Sequence, residues 1–409
     1  MTLATLASGD VFFQKILHRG LQDQTIQDVM LVEKKPAVNK GENYLSELTR
    51  FTLKYRCNVP KGHSGEKVDR VVHLIIKEEP NVSPETLELI RKTNIFNTER
   101  VMLEEVVPRI EELIGRRLGP KVYYSSIDPQ IIVMEDLVAC GFKNKNRKVG
   151  LNEEQAFLVL EYMADFHAAS ILLDQQDPQF VSRFRNGLIN DITSQNFFSY
   201  LSKGVEIIAD QVSAWPDKQF VLIAEKLRKR SKDLSQKLKE IYQCDEDELR
   251  VLNHGDMWIN NIMIRDDENG QPEEVRFIDY QLPVWTSPAI DLLYFLSITP
   301  ERNLKMTNDD VFLEKYLTRL TSAMKKLGFF KDPPTIRQLK KSMHKRRAFV
   351  LLAALVFWPK MLAEEEDVKP IDDMIQNAGE IGVNPLKYPH AKEVMEKILP
   401  ILNERGYLD

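Results

Sequence analysis

The stretch "VLNHGDMWINNIMI", residues 251–264, places a histidine, an aspartate and several asparagines between two apolar flanks. His254, Asp256 and Asn261 fit the pattern H-x-D-x-x-x-x-N, and Asp279 follows at the end of the next predicted strand. Phosphoryl transfer from a nucleotide needs a carboxylate that orients the attacking hydroxyl, and oxygen ligands that hold Mg²⁺ against the phosphates. We therefore interpret Asp256 as a base. Asn261 and Asp279 are candidate metal ligands, because Mg²⁺ prefers carboxylate and amide oxygens together with phosphate.

A candidate phosphate-binding lysine lies upstream, where Lys77 ends the apolar strand "VVHLIIK". Such a lysine needs a second carboxylate to fix its position. The helical pattern "NIFNTERVMLEEVV" follows, and Glu99 lies on the apolar face marked by Phe96 and Leu103. Since that face is expected to meet the sheet, the pattern favours Glu99 as the partner of Lys77, with Glu105 as the alternative.

The distribution of periodicities predicts an α+β fold with two lobes. The early segments "RFTLKYRC", "VVHLIIK", "KVYYSS" and "QIIVMEDL" read as strands, and "QDVMLVEK" is a weaker strand. Ser83 is expected to cap a helix, and Pro108 to end or kink a second one. After Gly141 most of the chain has helical period, except for a hairpin that turns at Gly270. The predicted lobes are residues 1–137, rich in strands, and 138–409, mostly helical.

Composition excludes several classes of protein. The 409 residues carry a net charge of −5 without a basic block, so a nucleic-acid partner is not expected. The three cysteines are far apart, which disfavours disulfides and zinc and favours a reducing, cytoplasmic compartment. The N-terminus lacks the pattern of a signal peptide. The apolar run 348–358 is too short to span a bilayer, which predicts a buried core helix and no transmembrane segment.

The motifs, taken in order, resemble those of a known group of enzymes. "VVHLIIK", "FNTERVMLEEVVP", "VMEDL", "HGDMWINNIMI" and "FIDYQ" look like the protein-kinase-like fold, and within it the choline kinases and aminoglycoside phosphotransferases. The segments "GENYLSELTR", "MEDL", "LNHGDMWINNIM" and "FIDYQ…DLLYFL" are most similar to the ecdysteroid kinase-like (CHK kinase-like) family. The resemblance covers nearly the whole chain, and the combined motifs are more specific than any one of them.

The resemblance implies a bilobal fold with ATP and Mg²⁺ in the cleft. It makes Asp256 the base, Asn261 and Asp279 the magnesium ligands, and Lys77 with Glu99 the phosphate-positioning pair. Asp291 is implied to brace the catalytic loop, and His254 is given a structural role beside it. The loop over the phosphates and the hinge against the adenine supply the implied nucleotide-binding residues, which are Gly41, Asn43, Ser46, Met134, Glu135 and Leu137.

Departures from the protein kinases point to a small substrate. The phosphate loop has one glycine where protein kinases have three, and "DYQ" stands in place of D-F-G. Only eleven residues separate Asp279 from Asp291, so an activation loop has no room. The expected activity is transfer of the γ-phosphate of ATP to an alcohol, and the resemblance implies a steroid such as an ecdysteroid. The alternatives are a choline, ethanolamine or xenobiotic-alcohol phosphotransferase, and a pseudokinase that binds without turnover.

Overall fold

The N-terminal part of the chain forms a five-stranded antiparallel sheet. Its strands are β1 (Gln27–Pro36), β2 (Glu47–Asn58), β3 (Lys67–Glu78), β4 (Val122–Ile127) and β5 (Gln130–Glu135). Their order in the sheet is β1-β2-β3-β5-β4. This computed structural model describes residues 10–38, 45–59, 66–329, 332–362, 386 and 388–409. In β2, the alternation predicted from sequence buries Phe51, Leu53, Tyr55 and Cys57 on one face.

Helices connect and cover this sheet. They are α1 (Asp10–Leu21), α2 (Pro84–Thr93), α3 (Ile95–Val101) and α4 (Val107–Ile114), with a π-helical turn at Met102–Val106 between the last two. Ser83 caps α2 by accepting from the Thr86 backbone N–H, as its sequence predicts. Pro108 does not end the helical stretch, and the alternative, a kink at this residue, stays a prediction. Pro108 lies in the first turn of α4, where a missing N–H is tolerated, and α4 continues to Ile114.

The remainder of the chain is mostly helical, as the sequence predicts. Its helices are α5 (Glu153–Gln176), α6 (Gln195–Val212), α7 (Gln219–Glu240), α8 (Ala289–Ile298), α9 (Asp309–Lys326), α10 (Ile336–Lys345), α11 (Ala348–Val350), α12 (Trp358–Met361) and α13 (Pro389–Glu404). A π-helical segment, Leu351–Phe357, joins α11 to α12 and is largely buried in the core. In the part of the chain that the structure describes, α5 alone is long and apolar enough to cross a membrane. Of its most apolar window, 72% is buried inside the protein.

Short strands within the helical part flank the motifs that carry the candidate site residues. They are β6 (Lys143–Asn144), β7 (Val251–Asn253), β8 (Ile262–Asp266), β9 (Pro272–Phe277) and β10 (Val284–Thr286). β8 and β9 form the predicted hairpin, and Gly270 lies in its turn with φ +80°. β7 pairs with β10, and β6 pairs with β8.

Two apolar cores lie on opposite faces of the N-terminal sheet. Alternation in β5 directs Ile131 and Val133 into the core beneath α1, and Ile132 and Met134 into the larger core of the helical part. The mixed α+β architecture expected from the sequence is therefore confirmed. The lobe boundary at residues 137 and 138 stays a prediction.

Candidate active site

Lys77 lies between two carboxylates in a buried polar cluster. Its Nζ is 2.6 Å from Glu99 Oε2 and 2.6 Å from Asp279 Oδ1. The Lys77 and Glu99 side chains are 3% and 2% exposed, whereas the side chain of Asp279 is 29% exposed. Gln281 also donates to Glu99 Oε2 at 3.3 Å. The cluster brings together three of the residues singled out from sequence, from a strand, a helix and the segment after β9.

The electrostatics of this cluster favour a charged lysine. Burial alone disfavours the ammonium, but the neighbouring charges of Asp279 and Glu99 outweigh it and raise the pKa of Lys77. Glu104 and Glu105 point to other partners, since Glu104 pairs with Arg100 and Glu105 pairs with Arg183. The face of the helix that meets the sheet thus carries Glu99 and not its acidic neighbours.

The loop that carries Asp256 is held by the carboxylate of Asp291, near the start of α8. Asp291 Oδ2 accepts from the His254 backbone N–H at 2.7 Å, and Oδ1 accepts from the Gly255 N–H at 2.8 Å. Gly255 has φ +83°, and a Cβ built on it would lie 1.9 Å from the carbonyl oxygen of Leu282. The loop therefore requires glycine at this position both for conformation and for space.

Two buried histidines complete the support of the loop. His254 Nε2 lies 3.1 Å from the Ile278 carbonyl oxygen, and burial lowers the pKa of its imidazole. A neutral ring can donate to this carbonyl while it packs against Tyr280, with ring centroids 4.7 Å apart. His167 bridges Asp291 and the Tyr316 hydroxyl at 3.1 and 2.8 Å, so it fixes the bracing carboxylate in the core.

The surroundings of Asp256 raise the pKa of its carboxyl group. Removal from water, followed by the negative charge of Asp279, raises the pKa of Asp256 to about 7. Hydrogen bonds from Tyr294 and Asn261 oppose this rise, and Asn261 Nδ2 lies 2.9 Å from Asp256 Oδ2. A carboxylate with a pKa near neutrality can both take up and release a proton at physiological pH.

Asn261 and Asp279 are neighbours because of the hairpin. Ile262 pairs with Phe277 in the ladder, and the Ile278 N–H donates to the Asn261 carbonyl at 3.0 Å. Asn261 Nδ2 donates to the main-chain carbonyl and to the carboxylate of Asp256. The Oδ1 of Asn261 takes no part in these two hydrogen bonds. One amide oxygen and one carboxylate are thus presented at the end of the hairpin.

This donor set fits a magnesium ion that is shared with phosphate. Mg²⁺ in nucleotide sites is typically held by one or two protein oxygens and completed by phosphate and water. Among the described residues, no group of three or more histidine, cysteine, aspartate or glutamate side chains could hold a metal by itself. Asn261 and Asp279 would be the protein ligands of such an ion.

A cavity of about 500 Å³ joins these residues to the predicted hinge. Lys77, Asn261 and Asp279 line one end, and Met134 and Leu137 line the other. The remaining lining residues include both apolar and polar side chains from β2, β3 and the hairpin. The cavity therefore combines apolar walls with charged groups, which include the cluster around Lys77.

The predicted hinge is held through the side chain of Glu135. The Glu135 carboxylate pairs with Arg117 at 2.6 Å and accepts from the Lys121 N–H at 3.2 Å. The Leu137 carbonyl accepts two backbone bonds, but its N–H has no hydrogen-bond partner within the described ranges. Of the predicted phosphate loop, Ser46 is buried. Gly41 and Asn43 lie outside the described residues.

Sequence reasoning missed several residues of this site. Tyr294 contacts Asp256, and it follows Asp291 by three residues on α8, a spacing that places both on one helical face. Gln281, in the motif "DYQ", contacts Glu99. Arg50 and Asp136 line the cavity as an ion pair. Asp136 lies within the quoted hinge motif, so its position could have been noticed.

Trp258 and Trp285, near the site motifs, are each partly buried and pack against the large apolar core. Neither indole lines the cavity of about 500 Å³.

Comparison with known proteins finds one matching family and several similar solved structures. A model of the ecdysteroid kinase-like family matches residues 40–329. No curated protein matches the chain. Among solved structures, the choline kinase LicA from Streptococcus pneumoniae is 14% identical, with 95% of this chain and 99% of that chain covered and a TM-score of 0.38. A macrolide 2'-phosphotransferase type I is 14% identical over 89% and 95% of the two chains, with a TM-score of 0.39. The aminoglycoside phosphotransferase APH(2'')-Ib, with ADP bound, is 12% identical over 83% and 98%, with a TM-score of 0.30.

Proposed function

Because the chain belongs to the ecdysteroid kinase-like family, we propose that it is an ATP-dependent phosphotransferase that acts on an alcohol of a small molecule. The observation that carries the proposal is the convergence of Lys77, Asn261 and Asp279 on one cavity, with Asp256 bonded to Asn261. These are the parts that phosphoryl transfer requires.

In the proposed reaction, Asp256 orients the acceptor hydroxyl and takes its proton as the oxygen attacks the γ-phosphorus of ATP. A new bond forms between that oxygen and phosphorus, the bond from phosphorus to the β,γ-bridging oxygen breaks, and ADP leaves. Lys77, fixed by Glu99, binds the non-transferred phosphates. Asn261 and Asp279 would hold a divalent cation, which neutralises phosphate charge when bound.

The acceptor that we propose is a steroid such as an ecdysteroid, and its support is the description of the family alone. A cytoplasmic location accords with the state of the cysteines, since Cys57, Cys140 and Cys244 are all unpaired. The presence together of Lys77, Asp256, Asn261 and Asp279 disfavours a silent, ligand-binding protein, because phosphoryl transfer uses all of these groups.

Consumption of ATP by the purified protein, against ecdysteroids, other sterols, choline, ethanolamine and simple alcohols, tests the proposal. Asp256→Asn is expected to lower turnover by about 10²- to 10⁴-fold, the usual contribution of a general base, while ATP still binds. Asp191→Asn, a change at an exposed aspartate, is the matched control and should leave turnover intact.

The outcomes separate the candidate functions. A steroid-dependent signal supports the proposed acceptor, and a signal with choline or ethanolamine alone would replace it with an amino alcohol. Nucleotide binding without turnover on any acceptor would point to a binding module. Normal turnover by Asp256→Asn would show that another group is the base.

A further inference from the structure

Arg50, on β2, lines the cavity at the end near the predicted hinge. In the β2–β3 ladder Leu48 pairs with Lys77 and Arg50 pairs with Ile75. Because side chains alternate, these four residues share the face of the sheet that covers the cavity, and all four line it. Arg50 lies two residues from Leu48, about 7 Å along the strand from the phosphate end.

An ion pair with the hinge fixes this arginine. Arg50 Nε is 2.5 Å from Asp136 Oδ2, and its Nη2 is 3.3 Å from Oδ1. Asp136 is in turn held by the main chain, because its Oδ1 accepts from the Val138 N–H at 3.1 Å and its own N–H donates to the His73 carbonyl at 3.2 Å. The Asp136 side chain is 3% exposed and that of Arg50 is 20% exposed. The edge of the guanidinium is thus occupied by Asp136, while part of the side chain remains open to the cavity.

The chemistry of a guanidinium explains why this position suits a base. The group is planar, weakly hydrated and stacks well on aromatic rings, unlike the compact ammonium of lysine. Met263 and Ile278 line the cavity as well, from the hairpin, and give it an apolar side. The unpartnered Leu137 N–H lies in the same hinge and can donate to the edge of a purine.

We propose that Arg50, oriented by Asp136, stacks its guanidinium face on the purine ring of the bound nucleotide and thereby sets affinity for the base, not for the phosphates. This inference rests on the proposed function, since it assumes that the cavity binds a nucleotide. It adds a base-binding residue that the motifs of the sequence do not indicate.

The decisive variant is Arg50→Lys, because lysine keeps a charge for Asp136 but lacks the planar face. Calorimetric titration with ATP and, separately, with inorganic tripolyphosphate, both with Mg²⁺, compares the base with the phosphates. We expect about tenfold weaker ATP binding by Arg50→Lys, the scale of one stacking interaction with a cation, and unchanged tripolyphosphate binding. Arg56→Lys is the matched control, since Arg56 lies on the same face of the same strand but away from the cavity, where it pairs with Asp69 and is about half exposed.

Three results would overturn the inference. If Arg50→Lys binds ATP with wild-type affinity, Arg50 serves only in the ion pair that joins β2 to Asp136 of the hinge. Equal losses for ATP and tripolyphosphate would show that it acts on the phosphates or on cleft geometry. If the wild-type protein binds neither compound, the proposed function itself fails, and that result is distinguishable because it does not depend on any substitution. Thermal unfolding of each variant verifies that the fold is retained.

Discussion

At the scale of single residues, the fold raises the pKa of Asp256, the carboxylate that we propose as the base. Asp256 is held away from water and near the charge of Asp279, which raises its pKa to about 7. Its ordinary pKa in an unfolded chain is about 3.9. Between these two values the folded protein binds more protons than the unfolded protein, so its stability falls as pH rises through this window. Above about pH 7 the full cost of ionising Asp256 in the folded state is present.

Asp256→Asn should therefore stabilise the protein, and more at pH 8 than at pH 5. The amide cannot ionise, so it removes a cost that is complete at pH 8 and only partly present at pH 5. Urea denaturation of the nucleotide-free protein at both pH values measures the change in free energy of unfolding. Asp191→Asn, at an exposed site, should show no such difference. A gain from Asp256→Asn that is equal at the two pH values would contradict the raised pKa.

At the scale of elements, one helix organises the catalytic loop. Near the start of α8, Asp291 accepts the His254 and Gly255 N–H groups, and its own N–H donates to the Asn253 side chain at 3.1 Å. One turn later Tyr294 contacts Asp256. The helix thus fixes both the backbone of the loop and the carboxylate of Asp256.

Gly255→Ala should disrupt this element far more than Gly270→Ala. Both glycines have φ near +80°, so both substitutions carry the cost of a left-handed backbone, about 1–2 kcal/mol. Only Gly255 also meets another backbone, at 1.9 Å, whereas Gly270 has open space around its Cβ position. We expect a loss of more than ~3 kcal/mol in unfolding free energy for Gly255→Ala and loss of turnover, measured by denaturation and ATP consumption. Equal effects of the two substitutions would refute the close approach.

At the scale of the whole molecule, the cavity is lined both by the N-terminal sheet and by the helical part, which share the larger apolar core. Lys77 and Met134 come from the N-terminal sheet, while Asn261 and Met263 come from the catalytic loop and hairpin of the helical part. A ligand that contacts all four links the two parts. A ligand that binds only the folded protein raises the free energy of unfolding by mass action. The gain is about 2.7 kcal/mol at a ligand concentration of one hundred times Kd.

ATP with Mg²⁺ should accordingly raise the temperature of unfolding more than ATP with EDTA. The double variant Asn261→Ala/Asp279→Asn is expected to lose the part that depends on the cation, because it lacks both proposed ligands. Asn260→Ala is the matched control, since Asn260 also lines the cavity but lies outside the predicted ligand set. Thermal shift assays across Mg²⁺ concentrations make the measurement. A cation effect that persists in the double variant would place the metal elsewhere.

Much of this arrangement was predictable from local patterns. Alternation in "RFTLKYRC" predicted which face of β2 is buried, and the apolar face of "NIFNTERVMLEEVV" directed Glu99 toward the sheet. Both follow from the periods of strands and helices, which a sequence displays directly. The helical stretch continues past Pro108 because a proline is disruptive in a helix interior but tolerated in a first turn, and a sequence does not show that a new first turn follows a π-helical segment.

The sequence by itself determined the α+β class, the family motifs and the chemical types of the candidate site residues. Tertiary structure alone decided that Lys77 contacts Asp279 across 202 positions of sequence, that Arg50 meets Asp136, and that Tyr294 faces Asp256. The physical reason is that periodicity reports which way a side chain faces within its own element, whereas the partner it meets depends on how distant elements pack. Strand register and helix docking, which bring such residues into contact, arise from the burial of the apolar cores as a whole.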